Sequence, residues 1–381
     1  MKVLHYCNGF SGLSETFIYD YIIELERQGV DNYVLAHKRL YEEDRPFEKV
    51  EIVKYPSIWQ PEMILRKIKS IIFNENPVKT PWPIIRRKME RILIEFDPDI
   101  VHAHFGPQGV KVAPVCKSLE IPFLTSFHGY DAFELTKQSF WDSQYIKMSN
   151  HCSAITCVSD YMSQKLKNDY EWNRLELIHV GKKLDNYTFK VSKGKIRKWI
   201  SVGSLKEKKG HGDTIRAFSK IIDKFPNQTL RIIGGGFDRN KLNNLIEDLG
   251  LTEHVKLLGP LPHRDVINEL VKADVFILAS KKSESGDKEG IPTVLMEAQA
   301  VGLPCVSTEH SGIPEVIPKG SQKFLAEEGN VQDLAKKIEL IINCNLNEIK
   351  EISLRGRKII ENQFNLQYEV KKLVNLYQNI A

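Results

Sequence analysis

No CxxC pair occurs among the six cysteines, which stand at positions 7, 116, 152, 157, 305 and 344, with only Cys152 and Cys157 near neighbours. Thiols scattered in this way fit a reducing compartment and argue against a disulfide framework or a cysteine-rich zinc module. Nor is there a run of 18 apolar residues, so no helix is expected to span a bilayer. The opening MKVLHYCNGF carries one lysine and passes straight into a strand-like run, without the apolar stretch and cleavage pattern of a signal peptide. A net charge of +5 is too small to imply a nucleic-acid partner, and no repeat or low-complexity tract is present. What is there is a globular composition, 42% hydrophobic and 27% charged over 381 residues, which leaves room for two domains. The expected location is the cytoplasm.

The most informative stretch is Ser280 to Glu315, SKKSESGDKEGIPTVLMEAQAVGLPCVSTEHSGIPE. The apolar run Val275–Ala279 before it reads as a buried strand, and Lys281–Gly290 as a polar loop. Pro292 then starts a helix that ends near Gly302, and Pro304–Ser307 reads as the next strand. A loop at the carboxyl end of a strand is where open α/β sheets bind ligands. Glu289 precedes the helix and Glu297 lies inside it, about five residues or roughly 7.5 Å beyond Pro292 along the axis. Between them, the free N–H groups of Gly290, Ile291 and Thr293 make a site for an anion. A phosphate there would have a carboxylate on each side, each able to accept hydrogen bonds from hydroxyls. A sugar nucleotide has that form. Two solvated surface charges are the plain alternative, but Glu297 is flanked by Leu295, Met296, Ala298 and Ala300.

In chain order, Lys2–Tyr6 reads as a strand. A loop with Gly9 and Gly12 follows, then a helix capped by Ser14 with Phe17, Ile18, Tyr21, Ile22 and Leu25 on one face. Strands are expected at 32–36 and 51–55. From Glu62 to Glu95 eight Lys/Arg stand against four Glu among apolar residues, which fits an anionic membrane surface and equally well two ordinary surface helices. Asp97-Pro98-Asp99 precedes the buried strand 100–104 and reads as a turn, not a metal motif. His102 and His104 share a strand face, with no further ligand in view. The strand 123–127 ends in His128-Gly129, where a pocket should lie. Residues 181–197 read as a polar interdomain linker. In the second half, Trp199–Gly203 is a strand followed by SLKEKKGH, whose lysines at a strand–loop–helix junction suit phosphate. Gly234-Gly235-Gly236 fails the dinucleotide fingerprint because Arg239 stands where glycine is needed.

The segment EGIPTVLMEAQAVGLPCVST-HSGIPE, with Glu289-x7-Glu297, resembles the signature of glycosyltransferase family 4, retaining enzymes of GT-B fold. Its wording is similar to the bacterial exopolysaccharide group of the colanic-acid type, and the resemblance covers essentially the whole chain. It implies an α/β fold with two doubly wound Rossmann-like domains facing across a cleft: 1–181 on the acceptor side, 182–364 binding the nucleotide sugar, and a helix at 365–381 crossing back. Glu289 and His128 are then expected at the donor sugar, Glu297 at the ribose, and Lys209 at the diphosphate. Gly12, Gly235, Leu258, Gly290, Ile291, Pro292 and Thr293 complete the nucleotide site. Ser204 stands where the family usually has an arginine for the diphosphate, so Lys206 or Lys208 must substitute or Lys209 carries more of the charge.

The function so implied is retaining, metal-independent transfer of a sugar from a UDP- or GDP-sugar to a glycan or lipid-linked oligosaccharide, in cell-surface polysaccharide synthesis. No cofactor beyond that co-substrate is implied, and the protein is expected to be peripheral at the inner face of the membrane if 62–95 docks there. A sugar-nucleotide epimerase of the same architecture, and a non-catalytic binding protein for sugar nucleotides or membrane surfaces, are the alternatives.

Overall fold

The structure, a computed structural model, describes residues 1–12, 15–55, 61, 83–172, 174–191 and 194–381. Ser14, expected as a helix cap, and residues 62–82 of the basic stretch lie outside them. The chain forms two compact units. Unit 1 comprises Met1–Val158, Ser163–Ile178 and Glu369–Ala381; unit 2 comprises Ser159–Met162 and His179–Tyr368.

Unit 1 is built on a seven-stranded parallel sheet: β1 (Lys2–Phe10), β2 (Asp31–Arg39), β3 (Val50–Ile52), β4 (Ile100–His104), β5 (Phe123–Phe127), β6 (Ala154–Cys157) and β7 (Leu175–Leu177). Their order is β3-β2-β1-β4-β5-β6-β7. Every residue of β4 and β5 is buried, as strands covered on both faces by helices must be. The helix Thr16–Arg27 buries Phe17, Ile18, Tyr21, Ile22 and Leu25, the stripe that its 3.6-residue period predicts. Asp97-Pro98-Asp99 is a turn: Asp97 has φ +51°, and the Asp99 carboxylate accepts the Lys2 N–H at 2.7 Å.

The two strand-4 histidines do have a third neighbour, contrary to the sequence reading. His5 on β1 lies opposite His102 in the register, and ring nitrogens of His5, His102 and His104 approach within 4.8 Å of one another. Their spacing is that of a metal site, but every ring nitrogen of the three except His104 Nδ1 already has a hydrogen-bond partner among the described residues. Asn32 donates through Nδ2 to the Val30 carbonyl, so its oxygen faces His5 and accepts from Nε2 at 3.0 Å. His5 Nδ1 must then accept from His104 Nε2 at 3.1 Å. His102 bonds Ser126 Oγ and the Tyr377 hydroxyl, each at 2.6 Å. The cluster is a buried polar network that seats the helix Leu366–Ile380 on the sheet.

Unit 2 repeats the plan with β8 (Lys198–Val202), β9 (Thr229–Ile233), β10 (Val255–Gly259), β11 (Val275–Leu278), β12 (Cys305–Thr308) and β13 (Leu325–Ala326), in the order β10-β9-β8-β11-β12-β13. Both sheets therefore reverse direction of growth between their first and fourth strands, which in unit 2 puts the ligand crevice at the loops after β8 and β11. Two helices with no sequence expectation, Val331–Ile342 and Leu346–Gln363, complete this unit; the second starts in a capping box on Asn345 and Glu348. The stretch 181–197 is not a loose connector. Lys182, Tyr187 and Ile196 are buried in it, and Lys182 exchanges backbone hydrogen bonds with Phe364 and Leu366.

Burial lowers the pKa of His5 to about 4, opposed only in part by its bond to Asn32, and lowers those of His102 and His104 as well. Such groups stay neutral when folded and take up protons only on unfolding. Their contribution to stability is complete above about pH 6.5 and is lost as the pH falls towards 4. Urea midpoints measured across that window should fall, with His5 alone accounting for up to about 3 kcal/mol.

Candidate active site

The loop after β8 carries SLKEKKG and turns once through Glu207–Lys209. Gly210 closes it at φ +64°, and a Cβ there would meet the Ala279 carbonyl oxygen at 1.7 Å. Only glycine lets the loop press this closely on the end of β11. Two further bonds join the loops: Lys281 N–H to the Lys208 carbonyl (2.9 Å) and Glu284 N–H to the Glu207 carboxylate (3.1 Å). The lysines are thereby fixed against the loop after β11.

Glu289 in that second loop is buried, and Lys209 Nζ donates to its Oε2 at 2.9 Å. Lys208 Nζ stands 3.0 Å from Asp287 and 3.6 Å from Glu289 Oε1. Oε1 is buried and has no hydrogen-bond partner among the described residues. Burial would raise the Glu289 pKa, but Lys209 and Lys208 together more than offset it, and the carboxyl is held below its ordinary value. Lys208, not Lys206, is therefore the second cation at this carboxylate. Lys206 lines a neighbouring cavity of about 710 Å³ with Glu207, Asp213 and Arg216.

The segment after β12 braces Glu289 from behind. The Glu289 N–H donates to His310 Nε2 at 3.2 Å, which leaves the ring proton on Nδ1, donated to Glu328 at 2.7 Å. Ser311 Oγ donates to the Glu289 carbonyl at 2.5 Å. Gly312 lies against Gly290 and Ile291, where a Cβ would meet the Ile291 side chain at 2.6 Å and the Gly290 carbonyl oxygen at 2.7 Å. The helix that follows, Thr293–Ala300, has Pro292 at its N-cap and no side-chain cap. No acceptor among the described residues takes the N–H of Gly290, Ile291 or Thr293. Two cations, a carboxylate and three free amides thus share one loop pair, which is the equipment for a phosphate bearing a hydroxylated group.

Glu297 is held by a partner that the sequence did not announce. Lys182 Nζ donates to its Oε1 at 2.5 Å, and His263 Nε2 is 3.3 Å from the same oxygen. Burial would raise the pKa of Glu297, but the Lys182 charge and then His263 pull it down to about 2. A lysine in a polar run gives no periodic signal, and only the buried partner 115 residues away reveals its role.

The remaining candidates fall as follows. Ser204 and Gly235 lie in loops stitched by the Leu205 N–H to the Gly235 carbonyl at 2.9 Å. A Cβ at Gly234 would strike the Gly203 carbonyl oxygen and one at Gly236 the Leu205 carbonyl oxygen, so these two glycines serve contact between loops. Leu258 is half-buried beside an irregularity in the β10 pairing. Gly12 and His128 belong to unit 1. His128, at the end of β5, packs between Phe17 and Phe105 at 4.6 Å each. Both its ring nitrogens lack a partner among the described residues, and burial lowers its pKa to about 3. Asp131 positions it, accepting the N–H groups of His128 and Gly129 at 3.0 Å and of Gly106 at 2.9 Å.

Residues 14–185 match the family described as Glycosyltransferase Family 4, and residues 185–359 match Glycosyl transferases group 1. WcaL of Escherichia coli strain K12, assigned as a colanic acid biosynthesis glycosyltransferase, is 31% identical over 76% of this chain and 72% of its own. AmsK of Erwinia amylovora, an amylovoran biosynthesis glycosyltransferase, is 31% identical over 75% and 71%. Among solved structures, HepE of Anabaena in complex with UDP superposes with a TM-score of 0.80 over 100% of both chains, at 18% identity. That likeness is one of fold.

Replacing Lys182 by Met leaves Glu297 buried without its cation and should cost about 3–5 kcal/mol of folding stability. Adding Glu297→Gln removes the stranded charge and should restore most of that loss. Denaturant titration of the single and double variants measures both; equal stability of Lys182→Met and the parent protein would show that the pair is not coupled.

Proposed function

Since the chain belongs to the family 4 glycosyltransferases and has their two-sheet GT-B fold, we propose that it moves a sugar from a nucleoside diphosphate to a glycan or lipid-linked glycan in exopolysaccharide synthesis. The observation that carries this reading is the convergence of Lys208, Lys209, Glu289 and the free amides of Gly290–Thr293 on the switch point of one sheet. The donor diphosphate lies over those amides with the two lysines on its oxygens, and Glu289 Oε1 accepts a hydroxyl of the sugar. Glu297 accepts the ribose hydroxyls.

Transfer proceeds with retention. The bond from the anomeric carbon to the diphosphate oxygen breaks, the acceptor hydroxyl oxygen bonds on the same face, and its proton passes to the departing phosphate oxygen. The charge that develops on that phosphate meets Lys208, Lys209 and the helix amides, which are already in place before the reaction. These groups do the work that a divalent cation would otherwise do, so the reaction is metal-independent. UDP or GDP is the leaving group.

Peripheral docking on anionic lipid rests here on the helix Pro83–Phe96. It buries Ile85, Met89, Ile92 and Leu93 and exposes Arg87 and Lys88, while Arg86 and Arg91 pair with Glu90 and Glu95. At about 1 kcal/mol for each basic residue near such a surface, reversing Arg87 and Lys88 to Glu should lower the binding constant for anionic vesicles, read by co-sedimentation, by about 30-fold or more. Undiminished sedimentation would remove the membrane from the account.

Glu289→Gln should lower kcat by about 10²-fold or less, the loss of one charge-assisted hydrogen bond, with nucleotide affinity little changed. Lys209→Ala and Lys208→Ala should each weaken UDP or GDP binding, and Ser204→Arg should leave it unimproved, because Lys208 already fills that role. Sugar transfer in excess EDTA should match the untreated rate. Activity lost to EDTA and restored by Mn²⁺ or Mg²⁺ would overturn the mechanism, and UDP binding unaltered by both lysine variants would move the diphosphate elsewhere.

A further inference from the structure

Unit 1 holds a cation for which its described residues supply no counter-charge. Lys111, on the helix Gly106–Leu119, is only partly exposed. Its Nζ donates to the Tyr55 hydroxyl at 2.9 Å and lies 5.4 Å from the centre of that ring. Among the described residues no carboxylate pairs with it, and burial alone lowers its pKa to about 8. Buried charges are ordinarily paired, because desolvating an unpaired ammonium is costly.

The groups around Lys111 are tied to one another. The Tyr55 ring stacks on His37 at 4.0 Å, with 21° between the planes. His37 is itself fixed, its Nδ1–H donated to the Val53 carbonyl at 2.6 Å and its Nε2 accepting the Tyr6 hydroxyl at 2.7 Å. Since Tyr55 accepts from Lys111, its own proton goes to Asn8 Oδ1 at 3.2 Å. Asn8 is exposed in the last third of β1, next to Gly9, where the sheet of unit 1 has its own switch point. A lysine, a phenol and an amide are thus held together at the ligand-bearing edge of unit 1.

We propose that Lys111, Tyr55 and Asn8 form an anion subsite for the acceptor, so that the sugar is delivered to an acidic acceptor. The proposal rests on the glycosyltransferase reading, with unit 1 as the acceptor side. Lys111 supplies the charge and the Asn8 amide nitrogen donates to a flanking hydroxyl, while the Tyr55 hydroxyl, bonded to both residues, sets their spacing. Two sources share the required chemistry: the carboxylate of a uronic acid, and the phosphates of a lipid diphosphate carrier.

The test is calorimetric titration of the full-length protein, loaded with UDP, with three probes. These are a glucuronate-terminated disaccharide, its glucose-terminated counterpart, and the glucose-terminated disaccharide on a short polyprenyl diphosphate. At least one anionic probe should bind about 10-fold or more tightly than the neutral one, and which of them does so names the source. That advantage should vanish in Lys111→Met and persist in part in Lys111→Arg. It should also decline in the wild-type protein as the pH rises from about 7 to about 9, through the pKa of Lys111. Burial lifts Tyr55 to about 12 and lowers His37 to about 4, so neither of the titratable groups against Lys111 changes charge in that interval. If Lys111→Met fails to fold, Lys111→Arg and Tyr55→Phe, which deletes only the hydroxyl, are read for a weakened preference instead. Equal binding of all three probes to the wild-type protein, or an anionic preference untouched by these variants, overturns the subsite. UDP and GDP affinity is the separate control: failure of a folded wild-type protein to bind either counts against the glycosyltransferase reading itself.

Discussion

Keeping two carboxylates ionised inside a protein is the constraint around which unit 2 is arranged. Glu289 and Glu297 are both buried, and burial alone would raise the pKa of each. Each is instead matched with ammonium groups drawn from distant parts of the chain: Lys208 and Lys209 from the loop after β8, and Lys182 from the segment ahead of the sheet. The parallel topology makes these meetings available, because it delivers the loops after β8 and β11 to adjacent positions. Gly210 then allows the last approach, which a Cβ would block.

The two glutamates are not equivalent. Glu297 Oε1 is shared by Lys182 and His263, so one of its two oxygens is already taken up within unit 2. Glu289 keeps one oxygen without a hydrogen bond and sits beside amides that have no acceptor. In the function proposed above, the donor sugar and its diphosphate complete that hydrogen-bond inventory. His310, Ser311 and Glu328 brace that loop through its backbone and leave the unbonded oxygen alone.

Much of this was legible in the sequence, and the exceptions have physical causes. Strands such as Ile100–His104 and Val275–Leu278 are short apolar runs closed by turn residues, and the Glu289–Glu297 segment carries its strand, loop and helix signals in order. Lys182 was hidden because a buried lysine and a solvated one look the same until a partner is known. His5 was hidden for a related reason: it joins His102 through sheet register, across almost one hundred residues, and no local pattern records that pairing. The helices Val331–Ile342 and Leu346–Gln363 sit far from any motif, although Asn345 and Glu348 form a cap signature that was there to be read. The proton positions on His5 and His310 follow only from which neighbours can accept.

The Tyr377 hydroxyl on His102 bears on how the chain is made. Unit 1 takes its first 158 residues from the start of the sequence, yet it also includes Glu369–Ala381. A ribosome working from the N-terminus releases all of unit 2 before Tyr377 becomes available. The N-terminal sheet must therefore wait, with one side of its histidine network unsatisfied, for the whole of the second sheet to be translated. Segments that fold in order of synthesis ordinarily finish in that order. Here the unit whose strands are made earlier is completed after the other, and a ribosome that stalls between Tyr368 and Tyr377 leaves unit 1 unfinished although unit 2 is fully translated.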